Sequence, residues 1–382
     1  MRRRSSYRYL RRINMAKKYY YNVFDDVRAY PDAWAILAIG GRTTGKTYGG
    51  LKGSYEDHIK FIFAKRTADD VNLMCSGTKM LKGTDDKEDP DFSPFAPINR
   101  DLGTNIKSYQ LYPGLGVFYD TYTDDKGKEY PTGAPIGNII GLSVATKFKG
   151  FDMSDCDIMF FDEFIPRKWE RVNRGEGDQL MDLYVTVNRD RILRGRPPLK
   201  LIGFANSVNL SNPLCNTLEI TDIIADMQLK GIDHLYLEDR GIFIRLLQGT
   251  ADFREALEKD PVYKAMGHTA WGQMAYDNQF AYDDLSSVGK TQLKGYKPVC
   301  SFTYKKPTYY VYQNQGKYFI CGSAFNDKNK PHYDLNREND QKRFYLEFAI
   351  DLRSECINDN VKFTNYSMYD LIVNYHKVFK LR

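Results

Sequence analysis

The chain has six cysteines in 382 residues and no Cys-x-x-Cys pair. Cys75, Cys156, Cys215, Cys300, Cys321 and Cys356 lie far apart. That spacing argues against a disulfide framework or a structural zinc and favours a reducing, intracellular setting. The five histidines are equally scattered, so the sequence shows no metal cluster. No window approaches the ~20 apolar residues of a membrane span, and no membrane partner is expected. The start of the chain lacks the apolar stretch of a secretory signal. Its first eighteen positions contain no acid and eight bases: Arg2, Arg3, Arg4, Arg8, Arg11, Arg12, Lys17 and Lys18. Such a run reads as a solvated arm, or as one that touches phosphate or a partner's acidic face. Met15 is an alternative start.

Hydrophobic residues make up 42% and charged residues 27%, as in a globular protein, and the length allows two or three cores. Residues 34–206 alternate short apolar runs with polar segments, the mark of an α/β sheet with crossovers. Strands are expected at Trp34–Ile39, Ile59–Ala64, Gly116–Asp120, Ile136–Leu142, Asp157–Phe161 and Leu199–Phe204. The polar stretch 76–115 reads as a surface insertion. Beyond Pro213 the pattern mixes a strand-like Gly241–Leu247 with a helix-like Ala251–Lys259. A third region has strands at Val299–Tyr304, Thr308–Gln313 and Tyr318–Ser323, with a hairpin at Asn314-Gln315-Gly316 and a helix at Ser367–Val378. The expected division is a basic arm at 1–20, a phosphate-loop domain at 21–220, a linker region at 221–290 and a further domain at 291–382.

Gly40-Gly41-Arg42-Thr43-Thr44-Gly45-Lys46-Thr47 fits G-x-x-x-x-G-K-[ST] at every defined position. The glycines let consecutive backbone N–H groups point at phosphate oxygens. Lys46 would reach the β- and γ-phosphates and the Thr47 hydroxyl would ligate Mg²⁺. Downstream, Ile158-Met159-Phe160-Phe161 is an apolar run that ends in Asp162-Glu163. As a buried strand it delivers Asp162 beside the loop to hold Mg²⁺, with Glu163 as base or water-orienting group. The two motifs together point to ATP hydrolysis. The long interval between them leaves room for extra strands and favours a motor-type ATPase. No N-K-x-D guanine-recognition motif is present.

Asn206 ends the next strand, placed to sense the γ-phosphate or attacking water; a simple turn-forming role is equally consistent. Arg189 follows a helix-like Asp178–Val187. On spacing alone it is a surface arginine paired with Asp190.

The loop, Phe161-Asp162-Glu163-Phe164-Ile165, Thr186-Val187-Asn188-Arg189-Asp190-Arg191, Ala205-Asn206-Ser207-Val208 with Asn212-Pro213, and Asp277-Asn278-Gln279-Phe280 occur in that order. In this the chain resembles the DNA-packaging ATPases of phi29-type tailed phages, over most of residues 20–382 and most strongly from 34 to 213. The resemblance implies an ATP-driven homo-oligomeric ring motor, of about five subunits, that moves double-stranded DNA into a procapsid. It would act in the infected host's cytoplasm at the portal vertex, with or without a scaffold RNA. It makes Arg189 a finger acting on a neighbour's nucleotide, with Arg191 as its rival, and Asn206 a sensor. The C-terminal domain would be RNase-H-like. Its first two strands carry no Asp or Glu, however, so a two-metal nuclease is not expected.

A motor that accepts any sequence touches phosphates, not base edges. Lys65 and Arg66 after the second strand, and Lys147 and Lys149 in a later loop, are the expected DNA contacts. Two other readings stay open: a helicase- or recombination-type ATPase, and a nucleotide-gated ring assembly protein. The second has no need of Glu163.

Overall fold

The computed structural model describes residues 20–41, 44–75, 92–126, 128–148, 150–166, 170, 173, 175–207, 209–247, 259, 261–269, 272 and 285–381. The basic arm before Tyr20, loop residues Arg42 and Thr43, Lys149 and the segment Asp277–Phe280 lie outside them. So does most of Ala251–Lys259. Two compact units are present, residues 1–218 with 231–282 and residues 219–230 with 283–382.

The first unit holds a sheet with β1 (Ala35–Gly40), β2 (Phe61–Lys65), β3 (Ile106–Tyr112), β4 (Leu115–Thr123), β5 (Glu129–Gly141), β6 (Ile158–Asp162), β7 (Lys200–Ala205), β8 (His234–Leu237) and β9 (Ile242–Leu247). Their spatial order is β3-β4-β5-β2-β6-β7-β1-β9-β8. The six from β5 to β9 pair in parallel. The sequence explains the centre. Ala-Ile-Leu-Ala-Ile, Phe-Ile-Phe-Ala and Ile-Met-Phe-Phe are continuous apolar runs, as strands covered on both faces must be. All six residues of β1 are buried. One face forms a core of Ile36, Ala38, Phe61, Phe63, Phe160, Ile202 and Phe204 with Leu51 of the helix Lys46–Glu56. Phe160 stacks on Phe204 with centroids 5.6 Å apart and meets Phe61 edge-on at 5.6 Å.

β7 lies between β1 and β6, with Ile39 opposite Ala205 and Asp162 opposite Phe204. The interval between the two motifs holds β2 to β5, and β7 is the strand expected at Leu199–Phe204. The carboxyl ends of β1, β6 and β7 therefore share one edge, where ligands bind in open parallel sheets.

The α/β class and the mostly parallel sheet are as expected, but three regions differ. Part of the stretch expected as an insertion forms β3, an edge strand with a single partner whose residues are mostly half-buried or exposed. The stretch expected as a linker is divided: the helix Thr221–Lys230 clusters with the second unit, and β8–β9 extend the sheet, β9 beside β1. The second unit is also more helical than a β-rich reading anticipates. Its meander β10 (Lys297–Thr303), β11 (Thr308–Asn314) and β12 (Lys317–Cys321) is flanked by two short parallel strands, β13 (His332–Asp334) beside β10 and β14 (Val361–Phe363) beside β12. Helices at Glu338–Phe344, Ile350–Ile357 and Tyr366–Val373 accompany them. The hairpin turn falls where expected, with φ of 47° at Gln315 and 82° at Gly316.

Phe160→Ala removes a fully buried ring from between two others and should cost about 3–5 kcal/mol of stability, read by chemical denaturation.

Candidate active site

The loop between β1 and the helix Lys46–Glu56 is shaped by what its glycines permit. A Cβ on Gly40 would sit 2.6 Å from Leu247 Cβ on β9, so no side chain fits there. Gly45 has φ of 77°, the left-handed region that L side chains rarely enter. This turn places Lys46 at the first helical position and folds its ammonium back over the loop. Lys46 Nζ donates to Gly41 O at 2.8 Å, Gly40 O at 3.1 Å and Thr44 Oγ1 at 3.1 Å, and reaches Asn206 Oδ1 at 3.5 Å. The side chain is buried. Burial lowers its pKa to about 8, against the opposing pull of Asp162 and Glu163.

Asp162 ends β6 and accepts two bonds. Thr47 Oγ1 donates to its Oδ1 at 2.8 Å, and Lys65 Nζ donates to its Oδ2 at 2.9 Å. Burial alone would depress the Lys65 pKa, but the adjoining Asp162 carboxylate outweighs it and the pKa is raised. Glu163 turns the chain with φ of 57°, a costly conformation for a residue with a Cβ. Its peptide is held on both sides: Phe164 N donates to Phe204 O at 3.1 Å, and an Arg66 terminal nitrogen donates to Glu163 O at 2.8 Å. Arg66 also pairs with Glu170 and with Glu176, each at 2.7 Å. Burial raises the Glu176 pKa and Arg66 opposes that rise.

These side chains surround a cavity of about 270 Å³ lined by Thr44–Tyr48, Asp162, Glu163 and Phe204–Asn206. Lys46, Thr47, Asp162, Glu163 and Asn206 are thus brought together. The Thr47 hydroxyl and Asp162 carboxylate form an all-oxygen pair of the kind a hard cation such as Mg²⁺ takes.

Two expectations need correction. Lys65 and Arg66 do not form a DNA-facing surface: both are mostly buried and paired with Asp162, Glu170 and Glu176. The cause is strand register, since β2 lies beside β6 with Ala64 opposite Phe161, so the next residues along meet the acids. Arg191 is no rival to Arg189. It is 1% exposed, with Nε donating to Pro197 O at 2.9 Å, a terminal nitrogen 2.8 Å from Asp157, and further bonds to the Ser154 and Cys156 carbonyls. Arg189, on the same helix Glu176–Leu193, is 70% exposed and only 3.7 Å from Asp190. It lies outside the cavity lining. Lys147 is exposed at the end of the 3₁₀ segment Leu142–Phe148.

Fold and site define a phosphate-loop α/β domain in which one strand, β7, separates the loop strand from the acidic strand. The model of the podovirus DNA encapsidation protein (Gp16) family matches residues 118–365, and the chain belongs to that family. Its role is therefore in phage DNA encapsidation. The match begins after the phosphate loop and includes Asp162, Glu163, Arg189 and Asn206. Among solved structures the chain is similar to the phi28 gp11 DNA packaging motor, at 15% identity and TM-score 0.59, over 95% of this chain and 98% of that one. It is also similar to the bacteriophage phi29 viral genome packaging motor assembly, at 18% identity and TM-score 0.58, over 94% and 99%. At these identities the likeness is one of fold. No curated protein matches the chain.

Arg191→Ala would empty a buried guanidinium site and take the Arg191 donors from the Pro197 and Cys156 carbonyls, leaving Asp157 and the Ser154 carbonyl to Arg196, and should destabilise the protein by about 2–4 kcal/mol. Arg189→Ala should stay within about 0.5 kcal/mol. Paired denaturant melts of the two variants check this.

Proposed function

We propose that the chain hydrolyses ATP at this site and couples each turnover to movement of double-stranded DNA through a homo-oligomeric ring at a procapsid portal. The observation that carries the reading is Asp162: its carboxylate is hydrogen-bonded to Thr47 and faces the same cavity as the buried Lys46 ammonium. In this reading the loop amides and Lys46 hold the phosphates, and Thr47 with Asp162 would hold Mg²⁺. Mg²⁺ there supplies charge to offset that building on the phosphate oxygens. Glu163, fixed by its strained backbone, orients the attacking water and draws off its proton. Asn206 contacts Lys46, which supports a role in registering whether the terminal phosphate is present.

Arg189 is proposed to act on the neighbouring subunit's nucleotide. Its exposure supports this, as do its surroundings: Val185 and Ile192 are each 57% exposed and Leu193 78% on the same helix. An apolar surface around an unburied cation suits a subunit contact that ends at a phosphate. Lys147 is the described candidate for touching the DNA backbone.

Glu163→Gln should keep ATP binding and lose turnover by 10²-fold or more, roughly the contribution of a general base; turnover equal to wild type would remove Glu163 from the reaction. Lys46→Ala and Arg189→Ala should each be inactive alone, yet regain DNA-stimulated hydrolysis when mixed, because mixed rings pair an intact loop with an intact finger. Failure of the mixture to exceed either variant would place Arg189 outside the neighbour's site.

The Lys46 pKa sets a pH signature. Below about 8 the ammonium is charged and ready for phosphate. Above it the free protein loses that proton and must regain it on binding, so ATP affinity should fall with rising pH, by up to about tenfold per unit. Titrations with a fluorescent ATP analogue from pH 7 to 9.5 check the slope, which Lys46→Ala should abolish.

A further inference from the structure

Two tyrosine rings beside the cavity have no part in the chemistry above. Tyr20 is 47% exposed, and its ring lies flush against the phosphate loop: a Cβ built on Gly45 would come within 2.7 Å of Tyr20 Cδ1. Tyr48 follows Thr47 directly and lines the cavity. The two ring centroids are 5.7 Å apart, with planes tilted by 46°. Tyr48 is fixed by its hydroxyl, which donates to Asp101 Oδ2 at 2.6 Å.

The backbone carrying Tyr20 is fastened with care for so short a segment. Tyr21 N donates to Thr44 O at 2.9 Å, tying it to the loop. The Tyr21 hydroxyl donates to Asp26 Oδ2 at 2.6 Å, and Asp26 is 4% exposed and accepts from Arg245 Nε at 2.9 Å. Arg245 sits on β9 opposite Ala38 of the loop strand. Asn22 then caps the helix Val23–Ala29, its side chain accepting from Phe24 N. A buried ion pair and a helix cap thus hold Tyr20 against the loop, yet leave the residue about half exposed.

We propose that Tyr20 and Tyr48 form the shelf on which the base of the bound nucleoside triphosphate stacks. The proposal rests on the nucleotide reading above. The rings are too close for a base to slide between them, so the base lies against their outer faces. Phosphates gripped by Lys46 and Thr47 leave the nucleoside end next to Tyr48, one residue on. Aromatic stacking is worth having in water and accepts any base, since every base presents a π-face. Asp26 and Arg245 act as positioning residues for the shelf.

The test compares ATP with inorganic tripolyphosphate, each with Mg²⁺, by calorimetry on the full chain. Tripolyphosphate fills the loop and has no base. Tyr20→Ala should weaken ATP about tenfold and leave tripolyphosphate unchanged, while Tyr20→Phe should match wild type for both. Unchanged ATP affinity, or equal losses for ATP and tripolyphosphate, would overturn the shelf; equal losses would mean that Tyr20 only shapes the loop. Lys46→Ala should weaken both ligands. If wild type binds neither, the nucleotide reading itself fails and the shelf falls with it.

Discussion

A buried lysine ammonium is the constraint around which this site is built. Taking a cation out of water is expensive, and Lys46 recovers part of that cost from the carbonyls of Gly40 and Gly41. Those carbonyls face inward because the loop curls tightly, and it curls because Gly40 has no room for a side chain and Gly45 takes a left-handed φ. Desolvation still leaves the ammonium at a pKa of about 8. A desolvated ammonium gains more from an anionic partner than from carbonyl and hydroxyl dipoles. An oxyanion is the ligand that would satisfy it.

Asp162 is the second organising charge, and it works by sharing. One carboxylate joins the loop helix, through Thr47, to strand β2, through Lys65. Arg66, the next residue, holds the Glu163 carbonyl and two further carboxylates, one of them at the start of the helix that bears Arg189. The Glu163 carbonyl and the first residue of that helix thus share one guanidinium. The second unit has its own core.

Much of this was legible in the sequence because the relevant signals are local. The loop pattern, the apolar run into Asp162-Glu163 and the strand before Asn206 each lie within ten consecutive residues. Burial on both faces makes central parallel strands continuous in apolarity, so β1, β2, β6 and β7 stand out. Edge strands lack that signal. β3 is paired on one side and half wet, and β13 and β14 are three residues each, so they left no trace in composition. The basic residues were misread for a related reason. Lys65, Arg66 and Arg191 look like surface charges until their acidic partners arrive, and those come from 34 to 110 positions away.

What the sequence determined by itself was the chemistry on offer: a phosphate loop, a carboxylate pair and an α/β frame to carry them. Hydrogen-bond types and strand periodicity are written in neighbouring residues. The tertiary structure decided which charges are spent internally and which remain for a partner. It committed Lys65, Arg66 and Arg191 to buried pairs, left Arg189 and Lys147 in water, and laid Tyr20 against Gly45. Those outcomes depend on strand order and register, because inserting β7 between β1 and β6 and seating β2 beside β6 sets which side chains meet. No window of sequence contains that information.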